Sequence, residues 1–120
     1  MTKRAIFVRF QRAGIHRYPD AATDERLKDV SYLGSLHRHL FKFEVEIDVW
    51  HDDREIEFHQ FLNWLESLYH NDVLLLDFKS CEMIGDDLLA QIIYKFPKRD
   101  VTITVSEDGE CGARIYYKHS

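Results

Sequence analysis

Cysteine is scarce, basic charge is in the minority, and no long apolar run occurs in this 120-residue chain; each absence excludes a class of protein. Cys81 and Cys111 stand far apart with no C-x-x-C spacing, which excludes both a disulfide framework and a zinc knuckle and points to a reducing compartment. Lys and Arg number 16 against 21 Asp and Glu, giving a net charge of -5 and a pI near 5.8. No basic stripe is left for counterion release, so nucleic acid is set aside as a partner. No apolar run approaches the roughly 20 residues needed to span a bilayer. Met1-Thr2-Lys3-Arg4 leads directly into a strand-like segment rather than the apolar region of a signal peptide. A cytoplasmic protein with no membrane partner is expected. With 45% hydrophobic residues, no internal repeat and no low-complexity tract, residues 1–120 suit one domain around one core.

What is present is alternation. Ile6, Val8 and Phe10 alternate with more polar neighbours and predict a first strand over about residues 4–13. Phe41, Phe43, Val45, Ile47 and Val49 share one face of a second strand, with Lys42, Glu44, Glu46 and Asp48 on the other. Asp52 and Glu55 stand in capping-box spacing before Phe58, Phe61, Leu62, Leu65, Leu68 and Tyr69, which recur at helical intervals. Ser80 can cap a second helix carrying Ile84, Leu88, Leu89, Ile92, Ile93 and Phe96, closed by Pro97. Val101, Ile103 and Val105, an Asp108-Gly109 turn, then Ala113, Ile115 and Tyr117 predict a terminal hairpin. The expectation is an α+β fold of order ββααββ: a four-stranded antiparallel sheet with two helices on one face. Such a sheet leaves its edges and second face open, and oligomerisation would cover them.

The chemistry lies in the histidines. His37 and His39 are two residues apart, and in an extended chain two such side chains point to one side and can chelate one ion. If the first two strands form an antiparallel meander, His16 returns beside His37. Three histidines with an open fourth position make the catalytic type of zinc site, since structural sites close with four protein ligands. The chain has seven histidines, so the H-x-H pair alone does not single out a metal site.

Several segments, in order, resemble the 6-pyruvoyl- and 6-carboxy-tetrahydropterin synthases over about residues 5–118. Phe10 to His16 is similar to the family's first-strand end with its zinc histidine, and Leu36-His37-Arg38-His39 to its L-H-G-H. Glu57-Phe58 resembles the acidic-Phe pair opening its helix, Leu68-Tyr69-His70 its L-D-H, and Ser80-Cys81-Glu82 its P-T-x-E helix start. Val105-Ser106-Glu107 through Tyr116 resembles its terminal hairpin. The resemblance implies the tunnelling fold, a homo-oligomer (a hexamer of two stacked trimeric rings) with pockets at subunit boundaries, and Zn2+ on His16, His37 and His39. It also implies a pterin or purine-like ligand gripped by Glu107, with Glu82 and Ser80 at the ring-binding helix start. A carboxylate suits that ring because it accepts two parallel hydrogen bonds from ring N–H and exocyclic amine. Apart from the resemblance, Glu107 reads as a hairpin carboxylate and Glu82 as a first-turn residue favourable to the helix dipole.

Family members move protons with a cysteine four residues before the H-x-H, activated by the aspartate and histidine of L-D-H. Here those positions hold Leu33, Tyr69 and His70, so only His70 of the relay is kept. Glu25 and Asp29 are the loop carboxylates that could replace the base. Arg38 and Lys79 stand where the family has glycine and proline. Two functions follow: a zinc-dependent lyase on dihydroneopterin triphosphate or a relative, or a binder of a pterin, purine or nucleotide without the reaction. A structural oligomer with surface histidines is the third.

Overall fold

A computed structural model describes residues 1–119. The first two alternating runs become longer strands than the hydrophobic pattern predicts: β1 (Arg4–His16) and β2 (His37–Val49), antiparallel from Arg4↔Val49 to His16↔His37. Helix α1 (Phe58–Ser67), strand β3 (Val73–Asp77), helix α2 (Cys81–Lys95) and the hairpin β4 (Val101–Glu107) and β5 (Cys111–Tyr117) follow. Two 3-10 segments, Pro19–Ala22 and Glu25–Gly34, fill the connection between β1 and β2.

The expected α+β class is retained, but a four-stranded antiparallel tunnelling-fold sheet of order ββααββ is not what forms. The sheet has five strands in the order β3-β1-β2-β4-β5 and is mixed, because β3 runs parallel to β1. The reason this strand escapes the alternation test is chemical. Val73, Leu74, Leu75 and Leu76 are a continuous apolar run, the pattern of a parallel strand, and carry no period of two. Helix α1 also begins later than the Asp52/Glu55 spacing predicts. Glu57 is its N-cap, its carboxylate accepting from the backbone N–H of His59 and Gln60. Glu55 is instead committed to Arg99, through two hydrogen bonds of 2.6 and 2.7 Å.

Pleating then assigns the faces. Val8 and Phe10 of β1, Phe41, Phe43, Val45 and Ile47 of β2, and Val101, Ile103 and Val105 of β4 point to one side and are buried. Phe61 and Leu65 of α1 and Ile84, Leu88 and Ile92 of α2 complete that core. Both helices therefore cover the same face. Burying each such side chain contributes about 1.5–3 kcal/mol, so this stripe dominates the fold's stability. The opposite face carries Lys42, Glu44, Glu46, Thr102 and Thr104. At the β3 edge, Leu75 is 81% exposed. No described helix is long and apolar enough to cross a membrane.

Candidate metal centre

The buried stripe changes chemistry at one end of the sheet without changing face. On β1 the inward positions run Val8, Phe10, Arg12, Gly14, His16; on β2 they run Val45, Phe43, Phe41, His39, His37; on β4 they run Ile103, Val105, Glu107. The register pairs His16 with His37, Gly14 with His39, and Phe41 with Glu107. Three imidazoles and one carboxylate thereby meet at that end of the sheet, beside the first turn of α2. Gly14, opposite His39, leaves room for the Phe41 ring behind the cluster. A Cβ there would lie 2.8 Å from the Phe41 ring and 3.0 Å from Leu76.

One ligand atom from each of His16, His37, His39 and Glu107 lies within 4.8 Å of every other. The ring centroids are 4.6 Å apart for His16 and His37, 4.9 Å for His37 and His39, and 5.4 Å for His16 and His39. Each ring is held by an acceptor on its outer nitrogen. Nδ1 of His16 is 2.8 Å from the carbonyl of Lys79, Nδ1 of His37 is 2.8 Å from that of Ser35, and Nδ1 of His39 is 2.8 Å from Oδ2 of Asp108. An acceptor at Nδ1 requires the proton there, which leaves Nε2 as a bare lone pair in the neutral ring. This outer shell is how proteins orient metal-binding imidazoles.

The inner nitrogens are the ones left over. Nε2 of His16, a residue 6% exposed, and Nε2 of His39 are both buried without a hydrogen-bond partner. Oε2 of Glu107 is only 2.9 Å from Nε2 of His16, and its Oε1 is 3.6 Å from Nε2 of His39. At 2.9 Å the first contact has the length of a hydrogen bond but not the alignment of one. We read it as two electron-pair donors facing a common point. A buried lone pair opposed to a carboxylate is unfavourable unless a cation lies between them. The donor set therefore fits a borderline-soft divalent ion such as zinc.

Asp108 belongs to this outer shell and was not apparent from sequence, where it reads only as a turn residue. It has φ 59° and Gly109 φ 77°, the left-handed backbone of a tight hairpin. That turn aims the Asp108 carboxylate back at β2, where Oδ1 accepts from the Leu40 N–H at 2.8 Å while Oδ2 takes His39. The backbone N–H of Leu40, and then His39, hold the Asp108 carboxyl below the usual carboxylate range.

A cavity of about 490 Å³ opens beside the histidines, and His16, His37, Glu107, Ser80 and Glu82 all line it. Tyr18, Phe78 and Met83 supply apolar wall. The Ser80 hydroxyl is engaged as the N-cap of α2, accepting from the Met83 N–H at 3.1 Å, and Glu82 is exposed in the first turn. Leu33, at the position where the resemblance expects a cysteine, also lines the cavity. His70 lies elsewhere, exposed in the loop between α1 and β3, and is not among the lining residues. Its neighbour Tyr69 packs against Phe10 and Phe43 with centroids 5.8 and 5.1 Å away, and burial pushes its hydroxyl pKa up. Glu25 and Asp29 are exposed on the second 3-10 segment, away from this lining. Cys81 does line it, but burial pushes the thiol up to about 12, which keeps it protonated and poorly nucleophilic.

No family model matches the chain, and no curated protein matches it. Among solved structures, the crystal structure of an uncharacterized protein, WS1659 from Wolinella succinogenes, is similar. It is 14% identical with a TM-score of 0.58, over 98% of this chain and 100% of that one. The likeness is one of fold.

Proposed function

We propose that the chain binds one zinc ion through Nε2 of His16, His37 and His39 and uses the adjoining cavity to hold a pterin or purine-like molecule against it. The observation that carries the metal is the pair of buried, partnerless Nε2 atoms in rings whose Nδ1 atoms are all engaged. The ring-shaped ligand comes from the tetrahydropterin-synthase resemblance. It is supported by a cavity that combines the Glu107 carboxylate with the apolar side chains of Tyr18, Phe78 and Met83. Bound zinc supplies Lewis-acid polarisation of ligand oxygens. The chain's own contribution is to orient the imidazoles and to offer Glu107 and Glu82 as acceptors for ring N–H groups.

We favour binding over turnover. Leu33 presents only an aliphatic side chain to the cavity, and Tyr69 is committed to the core. General-base assistance is worth about 10²- to 10⁴-fold, so turnover of dihydroneopterin triphosphate should be slower than that of a complete synthase by about that factor. The lyase reading is favoured by one feature, the open cavity beside a three-histidine centre, and would need His70 to reach the cavity of another copy. The open β3 and β5 edges support a homo-oligomer, for which we retain the hexamer, in a cytoplasmic setting.

Elemental analysis of purified protein tests the metal, with about one zinc per chain expected and none after His37→Ala and His39→Ala are combined. Calorimetry with a pterin and with guanine tests the ligand. Zinc content unaffected by the double substitution would end the metal reading; absence of heat with both ring types would end the ligand reading.

A further inference from the structure

The Glu107 carboxylate does not face the open cavity alone. Of the residues lining that cavity, it is the one whose two oxygens are each directed at a different buried imidazole nitrogen, at 2.9 and 3.6 Å. An ion about 2.0–2.1 Å from two tetrahedrally arranged donors sets those donors about 3.3 Å apart. The two observed separations, one made by each carboxylate oxygen, lie on either side of that value. Register places the residue there as firmly as it places the histidines, since Glu107 is paired with Phe41, one inward step from His39, at the end of β4. The following turn is tied to the same strand, with the Asp108 N–H donating to the Leu40 carbonyl at 2.8 Å.

We infer that Glu107 is a fourth metal donor, so that the resting centre is a closed set of three imidazoles and one carboxylate rather than three imidazoles with a vacant position. This rests on the three-histidine reading above and goes beyond it in one respect: the carboxylate that would grip an incoming ring is the same one that closes the metal. Its side chain is 29% exposed, against 7% for His16, so it is the more accessible of the two cavity-lining donors in closest contact. A molecule entering the cavity meets that carboxylate and must displace it to reach the ion. Once displaced, the carboxylate is free to accept from ring N–H groups. Metal access and ring recognition are thereby coupled through one side chain, and a small anion that merely fits the cavity gains no open coordination position.

Cobalt(II) is the probe, because its visible absorption reports donor number and type without any turnover. Wild type, Glu107→Gln and Glu107→Ala are loaded with Co2+ alone, and affinity is read by competition with a chelator. The wild-type protein is expected to give the intense bands of a four-coordinate site. In Glu107→Ala these bands shift and weaken, and affinity falls by at least about 10- to 100-fold, the range for losing even an outer-shell partner. Added acetate restores the spectrum of Glu107→Ala, which a loss of fold would not allow. Glu107→Gln, of equal volume, shows a smaller change in the same direction. Unchanged spectra and affinity in both variants, with binding still abolished by His37→Ala and His39→Ala together, would overturn the donor role and leave the histidine centre standing. Failure of wild type to bind Co2+ would remove both.

Discussion

Strand β2 carries a polar cluster at each end, and the two are finished differently. Near Val49, the Arg99 guanidinium, 6% exposed, makes two hydrogen bonds to the Glu55 carboxylate and a third to the Asp48 carbonyl at 3.1 Å, and stacks 3.9 Å from the Trp50 ring. The Glu55 carboxylate also accepts from the Trp50 N–H at 2.9 Å. One loose atom remains nearby, Oδ1 of Asp48. Near His37, each imidazole is satisfied on its outer side, while Nε2 of His16 and Nε2 of His39 are buried with nothing to bond. A cluster whose charged groups are paired with each other holds the chain in place. A cluster whose unsatisfied atoms converge is built to receive something, because folding alone would not retain several buried, opposed electron pairs.

Substitutions at the two ends should therefore separate binding from stability. The largest effect is expected from His37→Ala combined with His39→Ala, which should take zinc from about one per chain to none while leaving the metal-free protein's far-ultraviolet dichroism intact. At the other end, Arg99→Ala should leave zinc content unchanged and lower the free energy of unfolding by about 3–5 kcal/mol, since it strands a largely buried carboxylate. Urea denaturation of metal-free samples reads this directly. A loss of zinc in Arg99→Ala, or a stability loss of that size in the histidine variant, would break the distinction.

Intermediate effects should come from the outer shell. Asp108→Asn keeps the size of the side chain but weakens the acceptor on His39 Nδ1, and metal affinity should fall by about 10- to 100-fold with little change in fold. Chelator competition measures it. The smallest effect concerns acid. Arg99 first, and the Trp50 N–H to a lesser degree, hold the Glu55 carboxyl below its usual range. A depressed carboxyl contributes stability that is present above the unfolded-state pKa of about 4.3 and is lost as pH falls through the folded value. Melting temperatures followed from pH 6 downward should drop in wild type below about pH 4, and Arg99→Ala should show a shallower decline.

Sequence made the antiparallel β1–β2 pair legible because its apolar positions keep strict alternation from Phe41 to Val49, and that pairing is what sets His16 beside His37. The last hairpin was legible for the same reason, helped by Asp108-Gly109. Strand β3 was not, since its four consecutive apolar residues do not alternate, and with it went the parallel pairing and the sheet order. That omission matters to the site. The chain leaving β3 brings the Lys79 carbonyl to His16, and the Arg17 N–H bonds the Asp77 carbonyl at 2.8 Å. The partners of His16 and His37 are main-chain carbonyls, which no side-chain pattern reveals. Asp108 was hidden in a turn whose backbone geometry alone accounts for an Asp-Gly pair. The membership of Glu107 in the histidine group depends on register, a quantity set by three strands together.

X-ray absorption at the zinc edge of the purified wild-type protein tests the convergence of these donors most directly. The account predicts a first shell of nitrogen and oxygen at about 2.0–2.1 Å, with the outer scattering of imidazole rings and no sulfur. A shell containing sulfur at about 2.3 Å, which would transfer the ion to Cys81 or Cys111, would contradict it, as would a protein that retains no zinc at all.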